Sequence, residues 1–279
     1  MAEGKIIMFN IKQHNSGEVE VTLTERLRQN YATITWNYFE QKDVMIPLLQ
    51  AAAIRHTYGN DIDIVLDAPY LPYARQDRVF EAGQPIAFNE FIKVIKTQFN
   101  RIRTMALHCS SGHQWRSYSN IEKLLQLENM KYNAMALQSD YNIVFPDESA
   151  RNHYYYPDAK MYTFIKYRDD NGAPHLTLDR GKLPEEINHA KPFLICDDIG
   201  DGNRTFVACV EALKNDIMNS DTIKIELMLY HAFCSYGLQN IIDAGISKLK
   251  IINPDSYHFL INKFPDHKDF VELVTFKGQ

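Results

Sequence analysis

Residues 193–205, Phe-Leu-Ile-Cys-Asp-Asp-Ile-Gly-Asp-Gly-Asn-Arg-Thr, constrain the fold of this chain more than any other stretch. Four consecutive apolar residues describe a strand buried on both faces, as in the middle of a parallel sheet. Two acids, Asp197 and Asp198, end it. A tight acidic turn containing Gly200 and Gly202 follows, and Phe206 to Leu213 opens a helix. In an open α/β sheet, ligands bind at the C-terminal ends of strands. Turn amides and a helix N-terminus suit a phosphate. Asp197 and Asp198 would repel that phosphate, so they serve another group. Carboxylates accept hydrogen bonds, and sugar hydroxyls donate them. A phosphate beside a polyol describes a phosphorylated ribose. The plainer reading is a strand ending in a polar turn, where acids are common. Two acids behind Phe-Leu-Ile-Cys, with a third at Asp201, count against it.

The 279 residues suffice for one large or two ordinary α/β domains. Hydrophobic content of 45% with 23% charged residues is globular. A net charge of −5 argues against broad nucleic-acid binding. No apolar run is long enough to span a bilayer, and the first ten residues do not form a signal peptide. Cys109, Cys196, Cys209 and Cys234 are scattered without CxxC spacing, as expected of reduced thiols in a cytoplasmic protein.

Strand-like runs alternate with amphipathic helices, which predicts parallel sheets. Strands are expected at 63–68, 102–107, 141–145, 161–165, 192–196, 223–229 and 248–252. A helix is expected over 43–56, with Val44, Leu48, Leu49, Ala52 and Ala53 inward. Another starts at Pro85 with Phe88, Phe91, Ile92 and Ile95 inward, and further helices cover 206–215 and 236–244. Gly172-Ala173-Pro174 marks an exposed loop. The expected split gives domains at 1–137 and 138–279.

The 193–205 run resembles the phosphoribosyl-binding loop of type I phosphoribosyltransferases and phosphoribosyl diphosphate (PRPP) synthetases. A second segment, Ala68-Pro69-Tyr70-Leu71-Pro72-Tyr73-Ala74-Arg75-Gln76-Asp77-Arg78, resembles the PYxxYARQDR segment that PRPP synthetases carry and simple phosphoribosyltransferases lack. Its chemistry is also legible directly, because arginine grips phosphate with a fixed fork of donors. A surface loop with a local Arg–Asp pair is the bland alternative. Further matches follow in family order: Leu107-His108, Pro146-Asp147, Lys166-Tyr167-Arg168, and the stretch opened by His231. Asn15-Ser16-Gly17-Glu18 resembles the family's FxxGE strand, with His14 in place of Phe. Other departures are Ala106, where an acid is usual, and Gly202-Asn203-Arg204, where the family has Thr-Gly-Gly.

The resemblance implies an α/β fold of two phosphoribosyltransferase-like (type I) domains, each a mostly parallel sheet flanked by helices. It implies a Mg²⁺-dependent ribose-phosphate diphosphokinase that uses ATP. Arg75, Gln76, Asp77, Arg78, His108 and Glu18 would bind ATP, and Lys166 and Arg168 would be catalytic. Asp197, Asp198, Asp201, Gly202, Asn203, Arg204 and Thr205 would bind the sugar and its phosphate. His108 and Asp147 would meet the metal, and His231 would be structural or at a product site. Short phage-type members of this family act on ADP-ribose in a route that rebuilds NAD⁺. The altered 201–205 loop places ADP-ribose slightly ahead of ribose 5-phosphate as acceptor. A homo-oligomer in the cytoplasm, of the host if phage-encoded, without nucleic acid or membrane as partner, is expected. A type I phosphoribosyltransferase and a non-catalytic PRPP synthetase-like regulator are the alternatives.

Overall fold

The computed structural model describes residues 8–27, 30–79, 81–108, 121–123, 137, 140–154, 161–179, 188, 190–217 and 224–274. The chain divides into two units, Met1–Leu124 and Leu125–Gln279.

The first unit opens on an antiparallel hairpin of β1 (Phe9–Gln13) and β2 (Val19–Leu23). Residues 14–18 turn the chain, with Gly17 at φ +92°, a backbone region that glycine enters without strain. A parallel sheet follows in chain order: β3 (Tyr31–Thr35), β4 (Asp63–Asp67), β5 (Arg101–Thr104) and β6 (Ile121–Lys123). Helix α1 (Met45–Tyr58) joins β3 to β4, and α2 (Ala87–Ile95) lies between β4 and β5. Phe88, Phe91, Ile92 and Ile95 are buried on α2, the face its periodicity predicts. In α1 the buried residues are instead Ile46, Pro47, Gln50, Ala51 and Ile54. Of the expected face, Val44 and Leu48 do pack against the core, partly buried; the rest was displaced because residues 44–54 are apolar at nearly every position, so the pattern does not select a side.

The second unit contains β7 (Asn142–Phe145), α3 (Glu148–Tyr154), β8 (Tyr162–Arg168), β9 (Pro174–Leu178), β10 (Phe193–Gly200), α4 (Arg204–Asp216), β11 (Ile225–Ala232), α5 (Gln239–Ala244), β12 (Ile246–Ile251), α6 (Pro254–Lys263) and β13 (Val271–Leu273). The strand order is β13-β12-β11-β10-β7-β8-β9. All neighbours are parallel except β8 and β9. The chain leaves β7 toward β8 on one side and resumes with β10 on the other. The topological switch point, where open α/β sheets leave a crevice at the strand ends, therefore falls between β7 and β10. The fold is α/β, with mostly parallel sheets flanked by helices.

Several strand ends differ from expectation, because neighbouring strands set where pairing stops. β10 does not end at the acids. It runs to Gly200, since β11 keeps pairing with it through Asp197↔Leu229, Ile199↔His231 and Gly200↔Ala232. Pairing with β7 stops earlier, at Ile195↔Val144. β8 does not end before Lys166, because β9 pairs with it through Lys166↔Leu176 and Arg168↔Pro174. Pro174 thus begins a strand, a position where proline is tolerated, rather than closing a loop. β5 stops at Thr104, so His108 lies beyond the strand and not at its end.

Candidate active site

At the switch point, β7 delivers Asp147 just past its last residue, and β10 carries Asp197 and Asp198 past the end of β7. Asp147 caps α3, its Oδ1 accepting the Ala150 N–H at 2.8 Å. Its Oδ2 pairs with the Lys166 ammonium, and both side chains are mostly buried. The Asp198 N–H donates to Asp197 Oδ1 at 2.8 Å, and Asp198 is buried. Burial pushes the Asp197 carboxyl well above the usual carboxylate range. The charge of Asp198, the charge of Asp147 and a hydrogen bond with Asp198 act in the same direction, against Lys166. Three carboxyls thus converge electrostatically on one ammonium. That excess of negative donors suits a divalent cation or a set of hydroxyl donors. Among the described residues no three His, Cys, Asp or Glu side chains form a metal-binding group by themselves. A cation held by one or two carboxylates, water and substrate oxygens, as Mg²⁺ is, remains compatible with this donor set.

The 201–205 loop connects β10 to α4. Gly200 is forced by close packing, since a Cβ there would collide with Leu229 Cδ1. Asn203 takes the left-handed conformation at φ +64°, which Asn tolerates better than most residues. Its side chain does not cap the helix. It donates instead to the Gly237 carbonyl at 3.1 Å and accepts from Cys234 Sγ at 3.9 Å. The Asn203 carbonyl accepts from the Phe206 and Val207 amides. The Gly202, Arg204 and Thr205 amides have no acceptor among the described residues. The first turn of α4 holds no acid. Its charge is Arg204, an exposed cation at the end of the helix where the dipole is already positive. Open amides, an uncapped dipole and a guanidinium together favour an anion.

The second turn at this end follows β11. Ser235 donates its N–H to the Asp201 carbonyl at 3.0 Å and its hydroxyl to Asp201 Oδ1. Neither Ser235 nor Tyr236 was singled out from sequence. A signal existed: residues 232–237 leave β11 as 200–203 leave β10, and these strands are neighbours. His231, in the same stretch, is buried, with Nδ1 3.1 Å from Asn253 Nδ2. Cys196, Cys209 and Cys234 are buried free thiols. Burial raises all three, Cys234 to about 11, so they are poor nucleophiles. Cys109 lies outside the described residues.

Lys166 and Arg168 sit within the β8–β9 hairpin. Arg168 donates to the Gly172 carbonyl at 2.9 Å. Asp169 shapes the turn, accepting from the Asn171 and Ala173 amides at 3.0 and 2.9 Å, with His175 Nε2 3.1 Å away. The His175 hydrogen bond, then the Ala173 amide, hold the Asp169 carboxyl below its ordinary range. Tyr167 stacks on His175 with centroids 5.1 Å apart.

In the first unit, Arg75, Gln76, Asp77 and Arg78 lie in irregular backbone after β4. Asp77 is buried, while Arg75, Gln76 and Arg78 are exposed. The Gln76 N–H donates to the Tyr73 carbonyl at 2.8 Å, and the Gln76 carbonyl accepts from Phe88 at 3.2 Å, fastening the segment to the start of α2. Tyr73 has φ +64°. Beyond β5, the Met105 amide donates to the Pro69 carbonyl at 3.0 Å, and Ala106 takes φ +36°. This brings the 105–108 turn, with half-buried His108, beside the start of the 68–78 segment. Glu18 closes the β1–β2 turn and accepts from Ser16 Oγ at 2.8 Å. An aromatic group that sequence reading passed over flanks the segment: Tyr70 lies 5.3 Å from Tyr38 and 5.7 Å from Phe39. Burial, then the nearby Tyr73, raises the Tyr38 hydroxyl pKa.

Residues 3–98 match the family described as the N-terminal domain of ribose phosphate pyrophosphokinase. A putative ribose-phosphate pyrophosphokinase 2 of Streptococcus mutans is 24% identical over 255 residues, covering 88% of this chain and 75% of that one. A ribose-phosphate pyrophosphokinase of Thermoplasma volcanium is 23% identical over 276 residues, covering 97% and 90%. Among solved structures, the phosphoribosylpyrophosphate synthetase of Mycobacterium smegmatis shares the fold, with a TM-score of 0.67 at 15% identity over 97% of this chain and 86% of that one. Residues 3–98 thus match the N-terminal domain of ribose phosphate pyrophosphokinases, curated relatives along most of the chain are ribose-phosphate pyrophosphokinases, and the chain shares the fold of a phosphoribosylpyrophosphate synthetase.

Proposed function

We propose that this chain transfers the β,γ-diphosphoryl group of ATP to the anomeric C1 hydroxyl of a 5-phosphorylated ribose. One C1–O–Pβ bond forms, the Pα–O–Pβ bridge breaks, the hydroxyl proton is lost, and AMP leaves. The observation that carries this reading is the end of β10. Two acids at a topological switch point lead directly into a helix that opens with free amides and Arg204 and has no acid in its first turn. Hydroxyl acceptors and an anion site thus stand one turn apart.

The roles follow from this arrangement and from the family. Asp197 and Asp198 hold the ribose hydroxyls, and residues 201–205 hold the 5-phosphate. Lys166 and Arg168 stabilise charge on the transferring group. Glu18, Arg75, Gln76, Asp77, Arg78 and His108 hold the nucleotide. His108 of the first unit and Asp147 of the second would each meet Mg²⁺, whose chemistry would be to neutralise nucleotide phosphate charge. Positioning and electrostatics do most of the catalysis. The acceptor favoured here is ADP-ribose, followed closely by ribose 5-phosphate. Arg204 would supply a cation for a diphosphate bridge, and Gly202 adds no side chain of its own beside it.

The same reading makes the protein a homo-oligomer in which the β1–β2 turn, with Glu18, serves a neighbouring copy. Full activity from a monomer in sedimentation would refute that part. The reaction itself is tested by incubating the protein with Mg-ATP and each acceptor, then weighing the sugar products. A gain of one diphosphate on ADP-ribose is expected, with less on ribose 5-phosphate. A reversed preference would replace the acceptor and leave the chemistry standing.

A further inference from the structure

Tyr236 is 76% exposed, more than any other large hydrophobic side chain among the described residues. Its neighbours fix it in place. The Phe233 and Cys234 amides donate to the Gly200 carbonyl at 2.7 and 3.3 Å, and Ser235 bonds to Asp201 through both its amide and its hydroxyl. Gly237 donates to the Cys234 carbonyl at 2.9 Å, and its own carbonyl accepts from the Asn203 side chain. Left-handed backbone at Cys234 and Gly237 brackets the residue. The tyrosine therefore rides on a turn stitched at several points to residues 200–203.

Its ring lies along the open side of the loop. A Cβ placed on Gly202 would sit 3.4 Å from Tyr236 Cε2 and 3.6 Å from Cδ2, ordinary van der Waals contact. The ring thus borders the segment that leads to the free Arg204 and Thr205 amides. Single exposed aromatics are common and usually need no explanation. This one differs because an exposed aromatic face, carried on a turn held by hydrogen bonds, stands beside an anion site whose arginine has no ion pair among the described residues. Such a face loses little conformational freedom when a planar group covers it.

We infer that Tyr236 is a stacking platform for an aromatic base attached beyond the 5-phosphate, making it a specificity-determining residue for acceptors of the nucleoside-diphosphate-sugar class. This rests on the reading of 201–205 as the 5-phosphate loop. A bare ribose 5-phosphate ends at the loop and has nothing to stack. A sugar whose 5-phosphate continues through a second phosphate to a base gains the ring as well as Arg204.

Calorimetric binding without ATP tests this, using ADP-ribose and ribose 5-phosphate as probes against wild type, Tyr236→Ala, Tyr236→Phe and Arg204→Ala. Loss of base stacking should weaken ADP-ribose binding by about tenfold or more in Tyr236→Ala. Ribose 5-phosphate affinity should stay within about twofold, and Tyr236→Phe should retain most of the ADP-ribose affinity. Three results would overturn the inference: unchanged ADP-ribose binding in Tyr236→Ala, equal losses for both probes, or no ADP-ribose binding by the wild type. Failure of the loop reading looks different, because Arg204→Ala would then leave both affinities unchanged. If only the Tyr236 inference fails, the Arg204→Ala loss persists.

Discussion

The 201–205 loop and the β8–β9 hairpin both present cations at the same end of the second unit's sheet, yet they hold them in opposite ways. Arg204 has no ion pair among the described residues, and the amides around it are open. The backbone beneath it is pinned by Asn203, Ser235 and the Gly200 carbonyl. Lys166 is committed to Asp147, and Arg168 to the Gly172 carbonyl. One region is preorganised for an anion, while the other must exchange partners before it can serve one. Ground-state binding and transition-state stabilisation divide along this line. On the proposed reading, the site that is ready beforehand would bind the acceptor, and cations released from internal partners would act when charge develops on the transferring group.

The largest expected effect separates these roles. Lys166→Ala should lower kcat by about a hundredfold or more, with acceptor KM nearly unchanged. A rise in KM without loss of kcat would place Lys166 with the binding loop and erase the contrast. Rescue of Lys166→Ala by Asp147→Asn would mean that Lys166 serves only to neutralise Asp147.

A smaller effect tests whether the loop is pinned. Gly200→Ala forces a methyl group against Leu229 and should cost about 1–3 kcal/mol by overpacking. Gly202→Ala meets only ordinary contact with the Tyr236 ring and should change stability by less than about 0.5 kcal/mol. Denaturant unfolding of both variants checks this. Equal stabilities would show that the loop yields, and that its order does not come from the β10–β11 contact.

The sequence was most legible where local pattern determines structure. Phe193 to Cys196, buried throughout, cannot be other than an interior strand in this setting, and α2 shows one apolar face. Strand ends were less legible because they are set by distant partners. Nothing within residues 166–168 signals that Pro174 to Leu178 will pair with them, and nothing at Asp197 signals that β11 extends past β7. The same non-locality hid the Asp201–Ser235 bond, which exists only because β10 and β11 are neighbours. Asp197 and Asp198 stand out from the pattern itself, whereas Asp147 and Lys166 each read as ordinary polar positions. Family order draws attention to Asp147 and Lys166, and the strand order of the folded sheet brings all four together.

The central claim is diphosphoryl transfer, and the nucleotide product tests it most directly. ATP, Mg²⁺ and acceptor are incubated with the protein, and the adenine nucleotides are separated. AMP should appear in step with the diphosphorylated sugar and should vanish when either the acceptor or Mg²⁺ is left out. ADP as the nucleotide product, or AMP released at the same rate without acceptor, would contradict it.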